Sequence, residues 1–397
     1  MTRQPKSMVP KVRFKGFTDE WEQRKLGEMV KFSKGKGYSK SDLSNKGFPI
    51  ILYGRMYTNY ETEINNVDTF VQKQKNDSLI SNGGEVIVPA SGETAEDISV
   101  ASVVRRPGVI IGGDLNILYA NRFINPIFLA LAITYGNAHR KMAQRAQGKS
   151  IVHLHNSDLA NIKLIFPSID EQSLISNFLK KVDKAITLQQ RKLDQLNTLK
   201  KGLLQKMFAD KKHPQPELRF KGFSGDWEQH KLGNISNRLD NLRVPVTASK
   251  REKGNTPYYG ANGIQDYVSG FTHDGQFVLI AEDGANDVNN YPIRFVTGKI
   301  WVNNHAHVLQ GKIGSVDNKF LTNAIKKVNI STFLVGGSRA KLNADVLMKI
   351  KISIPTMTEQ IKIGTMLSKI DNLIALQQSK LDKLNSLKKS LLQNMFI

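Results

Sequence analysis

Two pairs of alternating histidines are the first places where side chains of this sequence could do chemistry. His305 and His307 would lie on one face of a strand, as would His153 and His155, and two imidazoles at that spacing could bind a metal ion. Neither pair has a third histidine or a carboxylate at a recognisable spacing, so a structural role is favoured. Residues 93–97 and 282–283 are acidic clusters, for which solvated loops are favoured over metal binding. The sequence therefore predicts no metal site.

The catalytic motifs are incomplete as well. Asn125-Pro126-Ile127-Phe128 is similar to the Asn-Pro-Pro-aromatic motif of amino-methyltransferases, but its second proline is missing, and the segment fits the start of a helix better. No G-x-x-x-x-G-K-[ST] loop is present to hold ATP phosphates, and Gly35-Lys36-Gly37 is too short for a dinucleotide motif. We predict no catalytic residue and no cofactor in this chain, which is typical of a binding protein.

Side chains suited to reading DNA bases are abundant in two glycine-rich parts of the chain. Arginine pairs with guanine and asparagine with adenine in the major groove, each pair contributing about 1–3 kcal/mol of discrimination. Phosphate contact or a plain surface position is the alternative for each residue. The candidates within residues 31–158 are Lys34, Lys36, Tyr38, Arg55, Tyr57, Ser91 at the start of the loop 91–97, Arg105, Arg106, Arg140, Lys141, Arg145, Lys149 and Ser150. Those within residues 237–346 are Arg238, Arg243, Lys250, Tyr258, Tyr259, Asn262, Asn286, Asn289, Asn290, Asn303, Asn304, Arg339 and Lys341.

The charge balance points to an anionic partner. The 397 residues include 57 Lys plus Arg against 35 Asp plus Glu, a net charge of +22, which favours a nucleic acid or a membrane surface. The longest apolar stretch, Pro126–Tyr135, is too short for the ~20 residues that span a bilayer. The first ten residues lack the apolar core of a secretory signal. Cysteine is absent, which fits a reducing cytosol. We expect a cytoplasmic protein of several domains.

The chain contains an internal sequence repeat. Residues 12–30 match residues 218–236 at 11 of 19 positions, and residues 159–209 match residues 347–397 at 27 of 51. We call the first pair the opening segments, the second pair the closing segments, and the two together the frame. Insert 1 (residues 31–158) and insert 2 (residues 237–346) show no comparable similarity. Only +8 of the net charge lies in the inserts and +14 lies in the frame, where many lysines could be solvated faces of long helices.

The closing segments contain a coiled-coil pattern. Gaps of four and three alternate without a break, which gives the 3.5-residue period of a helical seam. Glutamine and lysine recur at the same two seam positions, and such polar residues fix register at a cost in stability. The first seam is Ile175, Leu179, Val182, Ile186, Gln189, Leu193, Leu196, Lys200, Leu203 and Met207. The second is Ile363, Leu367, Ile370, Ile374, Gln377, Leu381, Leu384, Lys388, Leu391 and Met395.

We predict that the two seams meet as an antiparallel coiled coil, with residues 210–217 as an exposed linker. The alternative is two amphipathic helices, each lying on its own globular domain. Short apolar runs between glycine, asparagine and aspartate clusters indicate mixed α/β inserts, with helices near residues 127–143 and 319–328. The predicted domains are residues 1–158 (N-terminal segment and insert 1), 159–217 (first helix and linker), 218–346 (second opening segment and insert 2) and 347–397 (second helix).

The repeated motifs resemble those of the specificity (S) subunits of type I restriction-modification systems. The resemblance rests on the RFKGF…WEQ.KLG motifs that begin at Arg13 and Arg219, on the P…EQ motifs Pro167–Gln172 and Pro355–Gln360, and on the LQQ.KLD.LN.LKK..LQ.MF helices. It covers essentially the whole chain, and the motifs occur twice in the same order. Because inserts vary within that family, no base-reading residue can be transferred to this sequence.

The resemblance implies an α+β fold with a pseudo-two-fold repeat, in which two target recognition domains are separated by two paired helices. Each domain would read one half of a bipartite, asymmetric DNA site, and the helices would set the unread spacer. Two methyltransferase (M) subunits and two restriction/translocase (R) subunits would be the partners. S-adenosylmethionine, ATP and Mg²⁺ would bind to those partners, which would methylate adenine or cleave DNA.

Two other classes of function remain open from the residues alone. The chain could be a coiled-coil scaffold whose inserts bind protein, or a self-sufficient nuclease that recognises its own site. The incomplete metal-binding patterns argue against the nuclease. A steep salt dependence of binding would favour DNA over a protein ligand.

Overall fold

The computed structural model describes residues 8–146, 151–210, 212–336 and 340–397, which form two compact units. Unit 1 is Met1–Leu188 with Leu381–Ile397, and unit 2 is Gln189–Lys380. Each unit thus combines one opening segment and one insert with parts of both closing segments. Among the described helices, none is long and apolar enough to cross a membrane.

Unit 1 is built from short strands in four small sheets. Insert 1 contributes two five-stranded sheets, with orders β2-β12-β8-β10-β5 and β3-β6-β4-β11-β7, and the two-stranded sheet β13-β9. Strand β1 of the opening segment pairs antiparallel with β14 of the closing segment. The strands are β1 Glu22–Lys25, β2 Val30–Lys34, β3 Leu43–Ser44, β4 Phe48–Ile51, β5 Glu63–Ile64, β6 Phe70–Val71, β7 Leu79–Ile80, β8 Val86–Pro89, β9 Ser91–Gly92, β10 Ser102–Val104, β11 Ile110–Ile111, β12 Leu115–Ala120, β13 Val152–His153 and β14 Lys163–Phe166. The helices are α1 Leu26–Met29, α2 Arg55–Thr58, α3 Pro126–Tyr135, α4 Asn137–Arg145, α5 Asn156–Ala160 and α6 Ile169–Lys206, of which the last continues into unit 2.

Unit 2 repeats the frame around a different insert. Insert 2 is one six-stranded sheet of order β16-β21-β19-β20-β17-β18, and strand β15 of the second opening segment pairs with β22. The strands are β15 Glu228–Lys231, β16 Ser236–Arg238, β17 Lys253–Gly260, β18 Gly263–Val268, β19 His273–Ala281, β20 Ile293–Val302, β21 Ala306–Gly311 and β22 Lys351–Ile354. The helices are α7 Leu232–Ile235, α8 Asn318–Lys327, α9 Ala344–Lys349 and α10 Met357–Met395, whose last residues belong to unit 1.

The predicted helix at residues 127–143 is interrupted. The structure has α3 and α4 instead, separated at Gly136, which takes an extended conformation with φ −88° and ψ −171°. A Cβ at Gly136 would lie 2.6 Å from the Ala132 carbonyl oxygen, so only glycine fits there. The amide of Asn137 donates to the Ile397 carbonyl at 2.6 Å. Because this contact comes from a distant part of the chain, local helical periodicity could not reveal the break.

A repeated glutamine fastens each insert to the frame. The first turn of α3 is capped by the Asn125 side chain, and that of α8 by Asp317. In unit 1 the amide of Asn125 donates to Gln172 Oε1 at 2.8 Å. In unit 2 the amide of Asp317 donates to Gln360 Oε1 at 3.0 Å. The Pro126 segment is therefore a helix start, as the sequence predicts, and the inserts meet the frame through equivalent contacts.

A repeated ion pair fastens each opening segment to the start of its long helix. Arg13 binds Glu171 through two hydrogen bonds of 2.7 and 2.8 Å, and Glu171 is completely buried. Arg219 binds Glu359 with two bonds of 2.8 Å in the same way. A two-bond arginine–carboxylate pair fixes both distance and orientation. The P…EQ motif thus supplies a glutamate for the opening segment and a glutamine for the insert.

The predicted seam positions form the packed face of both long helices. Within unit 1, Ile175 and Leu179 of α6 share a core with Leu392 and Met395 of α10, and Asp183 pairs with Lys388. Within unit 2, Ile363 and Leu367 of α10 share a core with Met207 of α6, and Asp371 pairs with Lys200. In each unit, residue numbers increase along one helix while those of the adjacent residues on the other helix decrease, so the pairing is antiparallel. The predicted fold class is confirmed.

The end of each closing segment completes a hydrophobic core. In unit 1 the rings of Trp21 and Phe128 lie 5.9 Å apart, and Phe396 lies 5.7 Å from Phe128. The equivalent residues of unit 2 are Trp227, Phe320 and Phe208, with ring centres 5.3–6.1 Å apart. The MF pair that ends both repeats is therefore a core element.

Candidate nucleic-acid interface

Insert 1 has a cavity of about 790 Å³ that three predicted candidates line: Tyr38, Arg55 and Tyr57. This volume lies in the range of small-molecule pockets. Tyr38 and Asp114 also line it, and within the described ranges they are the two non-glycine residues with left-handed backbones, at φ 60° and 57°. Such conformations cost of the order of 1–3 kcal/mol each and tend to occur at functional sites.

The Tyr38 side chain is held firmly in this wall. Its hydroxyl lies 2.6 Å from Ser78 Oγ and accepts a hydrogen bond of 2.6 Å from the Lys75 amide. The Lys75 ammonium lies 4.5 Å from the centre of the Tyr38 ring. On the adjoining loop, the Gly113 amide donates to the Gly37 carbonyl at 2.8 Å. The hydroxyl that was a candidate for base contact is thus already engaged inside the protein.

Arg55 is a second candidate that the structure assigns to internal contacts. Its guanidinium donates to Asp68 at 2.6 Å, to Glu61 at 2.8 Å and to the Asn66 carbonyl at 3.1 Å. Its side chain is only 11% exposed. A guanidinium committed to two carboxylates cannot also pair with guanine without breaking those bonds. Arg55 therefore holds the cavity wall, and its readout role stays a prediction that requires these bonds to be exchanged for bonds to DNA.

The loop 91–97 divides into a buried start and an exposed turn. Ser91 is 5% exposed and lies in β9, opposite His153 of β13, and its base contact stays a prediction. Beyond it, the Thr94 amide donates to Asp97 and the Asp97 amide to Thr94, each at 3.1 Å. Glu93 is exposed and lines the cavity. Burial raises the pKa of Tyr57, helped by Tyr53 and by the charges of Glu93 and Asp97.

Most cations of insert 1 remain at the surface. Arg105 is partly exposed and lies 3.2 Å from Glu63. Lys141 is half-buried, and its ammonium donates to the Lys163 carbonyl at 3.3 Å. Burial lowers the pKa of Lys141, and the charges of Lys163 and Arg145 lower it further. The exposed candidates are Lys34, Lys36, Arg105, Arg106, Arg140 and Arg145. Lys149 and Ser150 lie outside the described residues.

Insert 2 has a smaller pocket of about 300 Å³ lined by Tyr258, Asn303, Asn304 and His305. Tyr258 is 1% exposed; its hydroxyl donates to the Val246 carbonyl at 3.2 Å, and the Arg251 guanidinium covers its ring at 4.1 Å. Asn303 is 4% exposed, and its Oδ1 accepts from the His305 amide at 2.8 Å. Tyr258 and Asn303 thus have structural contacts, and their base-reading roles stay predictions. Asn304 remains exposed at the pocket.

Arg243 belongs to a buried ionic network. Its guanidinium donates to Glu282 at 2.7 Å and to the Ala306 carbonyl at 2.9 Å, so it is engaged inside the protein, and its readout role stays a prediction. Lys341 lies 2.9 Å from Glu282. Burial alone would raise the pKa of Glu282, but hydrogen bonds from Arg243 and Lys341 outweigh it and leave that pKa below its usual range. Burial alone would likewise raise the pKa of Asp240. Hydrogen bonds from His307 and from the Val308 amide outweigh burial and leave that pKa below its usual range.

The same network brings three residues of metal-binding type together: Asp240, Glu282 and His307. Spacing in the sequence did not reveal this group, because the carboxylates come from different elements. His307 Nδ1 lies 2.7 Å from Asp240 and Nε2 lies 2.8 Å from the Leu342 carbonyl. Both ring nitrogens thus face acceptors, and Arg243 balances the carboxylates. The geometry is that of a structural cluster.

The remaining candidates of insert 2 lie on its loops and sheet. Asn262 Nδ2 donates to the Gly284 carbonyl at 2.9 Å, and its Oδ1 accepts from the Asn286 amide at 3.0 Å, so Asn262 ties two loops together. Tyr259 is half-buried, which raises its pKa against the opposing charge of Arg294. Exposed candidates are Arg238, Lys250, Asn286, Asn289, Asn290, Asn304 and Lys341. Arg339 lies outside the described residues.

Glu93 and Arg251 complete these surfaces. Glu93 belongs both to the candidate loop 91–97 and to a predicted solvated acidic cluster, and it lines the larger cavity beside Tyr57. Arg251 lies in the second pocket, and the sequence does not distinguish it from its neighbour Lys250 as a site residue. A tyrosine seven residues after Arg251 is a weak signal, because that separation alone does not show that the guanidinium covers the ring.

The fold and the sites define a protein with two unlike binding inserts held in one duplicated frame. The family model described as "Type I restriction modification DNA specificity domain" matches residues 18–198 and 224–386. The chain therefore belongs to the family of type I restriction-modification specificity (S) subunits.

Individual relatives agree with this assignment. A putative type I restriction enzyme specificity subunit of Haemophilus influenzae is 46% identical over 147 residues, which cover 37% of each chain. The MjaVIII type I specificity subunit of Methanocaldococcus jannaschii is 22% identical and covers 94% of this chain and 91% of its own. The crystal structure of a type I S subunit from M. genitalium matches with a TM-score of 0.72 at 17% identity, over 98% of this chain and 99% of that one. That last likeness shows the fold.

Proposed function

We propose that this chain recognises a bipartite, asymmetric DNA site, with one half-site read by each insert. The observation that carries this proposal is the contrast between frame and inserts. Arg13–Glu171 and Arg219–Glu359 are the same contact in the two units. Insert 1, by comparison, has two five-stranded sheets, and insert 2 has one six-stranded sheet. A constant support that carries two different surfaces suits the reading of two different sequences.

Base readout is assigned to the rims of the two pockets. Glu93 of insert 1 is an exposed acceptor beside Tyr57, which suits the amino group of cytosine. Asn304 of insert 2 is an exposed amide, which suits adenine. Exposed cations around them, such as Lys36 and Lys250, would contact phosphates. The two half-sites should therefore differ in sequence.

The catalytic work is assigned to partner subunits. We propose two M and two R subunits, which would bind S-adenosylmethionine, ATP and Mg²⁺ and methylate adenine or cleave DNA in the cytosol. The relatives are named as subunits of restriction enzymes, which supports partners of this kind. Leu188 and Leu387 in unit 1, and Leu376 and Leu199 in unit 2, are exposed at equivalent helix positions. The same apolar surface occurring twice suits two copies of one partner.

A genome-wide map of N6-methyladenine tests the proposal. The map is made in cells with and without this chain, with its methyltransferase partner present in both. A two-part motif with a fixed unread gap should appear only when the chain is present. If no methylation depends on the chain although it still binds its partner, the recognition proposal is wrong and the scaffold alternative takes its place.

A further inference from the structure

The strand of each opening segment places a lysine directly opposite another lysine. In the ladder of β1 and β14, Lys25 is the register partner of Lys163, and in the ladder of β15 and β22, Lys231 is the partner of Lys351. Opposed residues of an antiparallel pair have Cβ atoms about 4.5–5.5 Å apart, and like charges at such positions destabilise the ladder. All four lysines are exposed. Both copies of the frame thus keep an unfavourable pair.

The acidic residue of each opening strand does not relieve this repulsion. In β1, Glu22 is already bound by Arg24 at 2.6 Å, and in β15, Glu228 is bound by His230 at 3.2 Å. Within the described parts of the chain, Lys25 and Lys163 form no ion pair with a carboxylate. The positive charge of the ladder therefore faces solvent without an internal counter-charge.

In unit 1 the positive surface extends onto α4. The Lys141 ammonium reaches the Lys163 carbonyl at 3.3 Å, and Arg145 follows one turn later on the same helix. Burial lowers the pKa of Lys141, and the charges of Lys163 and Arg145 add to that effect without an opposing carboxylate. In unit 2 the exposed Lys349 lies two residues before Lys351. The ladder of unit 1 thus lies within a cationic surface, and the ladder of unit 2 has one further exposed lysine close to it in sequence.

We propose that the opposed lysines of the two ladders, Lys25 with Lys163 and Lys231 with Lys351, bind backbone phosphates of DNA. This inference rests on the proposed function and adds a division of labour to it: the frame positions the duplex, and the inserts read it. Phosphate contacts carry no sequence information but fix register and orientation. They therefore suit the constant part of a protein with interchangeable specificities. The location of +14 of the net charge in the frame agrees with this.

The test uses the full chain assembled with its methyltransferase partner. The probes are a duplex that carries the methylated motif and a random duplex of equal length, and affinity is measured between 50 and 200 mM salt. Each lost phosphate contact should reduce the steepness of log affinity against log salt by about 0.9. K25Q/K163Q should therefore flatten the slope by about 1.8 on both probes, without changing the motif. K231Q/K351Q should do the same for unit 2.

The matched control is K192Q/K383Q, which removes two exposed lysines from the long helices and should leave the slope unchanged. An unchanged slope in K25Q/K163Q overturns the inference, and so does an equal effect of the control pair. Loss of partner binding with an unchanged DNA slope would instead identify an acidic protein surface as the ligand. Should the double variant not fold, K25Q alone must show half the effect. If the wild-type complex has no motif preference, the proposed function fails, while the slope on random DNA still tests the lysines.

Discussion

Asp183 of α6 accepts an ion pair of 2.6 Å from Lys388 of α10 within unit 1. The equivalent pair in unit 2 joins Lys200 to Asp371, so lysine and aspartate exchange helices between the two copies. Lys200 and Lys388 are the two lysines that interrupt the apolar seams. Their partners explain why charged residues are tolerated there: each pair defines one register of the helices.

Reversing the charge of one partner in such a pair should weaken the helix pairing. Reversing the charges of both partners should restore it. We expect Asp183→Lys to place two ammonium groups together and to lower stability by about 0.5–1 kcal/mol or more, since the pair is half-exposed. Asp183→Lys/Lys388→Asp should recover most of that loss. A double-mutant cycle from chemical unfolding measures the coupling. No recovery in the double variant would mean that the pair does not set register.

A four-residue insertion between Leu193 and Leu196 should break the seam. Four residues rotate the helix by little more than one turn but displace every later seam residue from its partner. We expect loss of the Lys200–Asp371 pair, weaker assembly with the partner subunits and a changed or absent unread gap in the methylated motif. Unaltered assembly with an unaltered gap would refute a role of the helices in setting the spacer.

Replacing insert 1 alone should change one half-site alone. Residues 31–158 are exchanged for an insert from another member of the family. The new insert carries an asparagine at the position of Asn125, so that Gln172 retains its contact. The methylation map should then show one new half-site beside one old half-site. A change in both halves, or in neither, would contradict the assignment of one half-site to each insert.

Removing Arg13 should destabilise unit 1 strongly. Arg13→Ala leaves the completely buried Glu171 without its counter-charge, which typically costs about 3–5 kcal/mol. Thermal unfolding measures the loss. Arg24→Ala is the matched control, because its pair with Glu22 is exposed and should contribute about 0–1 kcal/mol. Equal effects of the two variants would show that burial of the Arg13 pair is not what matters.

Lys326 should make the stability of unit 2 depend on pH. Burial lowers its pKa to about 8, with help from the Lys200 charge and against the attraction of Asp371. Because the unfolded chain keeps the ordinary lysine pKa near 10.4, it binds more protons than the folded chain between about pH 8 and 10.4. Stability from this group therefore rises with pH across that window.

Lys326→Met should remove this rise and should stabilise the protein at pH 7, where most of the buried lysine is still charged. Denaturant unfolding at pH 7, 8 and 9 measures both effects. Lys327→Met, which changes the exposed neighbouring residue, should leave the pH profile as it is. A wild-type profile in Lys326→Met would show that this lysine is not the titrating group.

The frame could be predicted from the sequence because its signals are local and occur twice. The four-three spacing from Ile175 to Met207 predicts the packed face of α6. The same spacing recurs in the second closing segment, and seam residues of both segments lie in the hydrophobic cores. Pro167 and Pro355 directly follow the strands β14 and β22, and proline is a local signal for the end of a strand. Asn125 is likewise recognisable as a helix cap from its own neighbours.

The candidate sites were less predictable, because long-range partners decide which polar residues remain exposed. Arg55 and Arg106 look alike in the sequence, but only Arg55 meets two carboxylates after folding. Asp240 and His307 are 67 residues apart in the chain and become neighbours through the pairing of β16 with β21. Composition therefore predicts which residue types could read DNA bases, but not which individual residues remain exposed to do so.

Phe396 and Phe208 also constrain the order in which the protein can mature on the ribosome. The core of unit 1 includes Phe396, so translation must pass the whole of unit 2 and reach Phe396 before that core can close. Unit 2 takes Phe208 from a segment synthesised before its own insert. Although the first domain of a chain usually folds first during synthesis, here the unit that begins first is completed last. Its unfinished apolar surface would be exposed throughout elongation, which makes it the part of the nascent chain most in need of a chaperone.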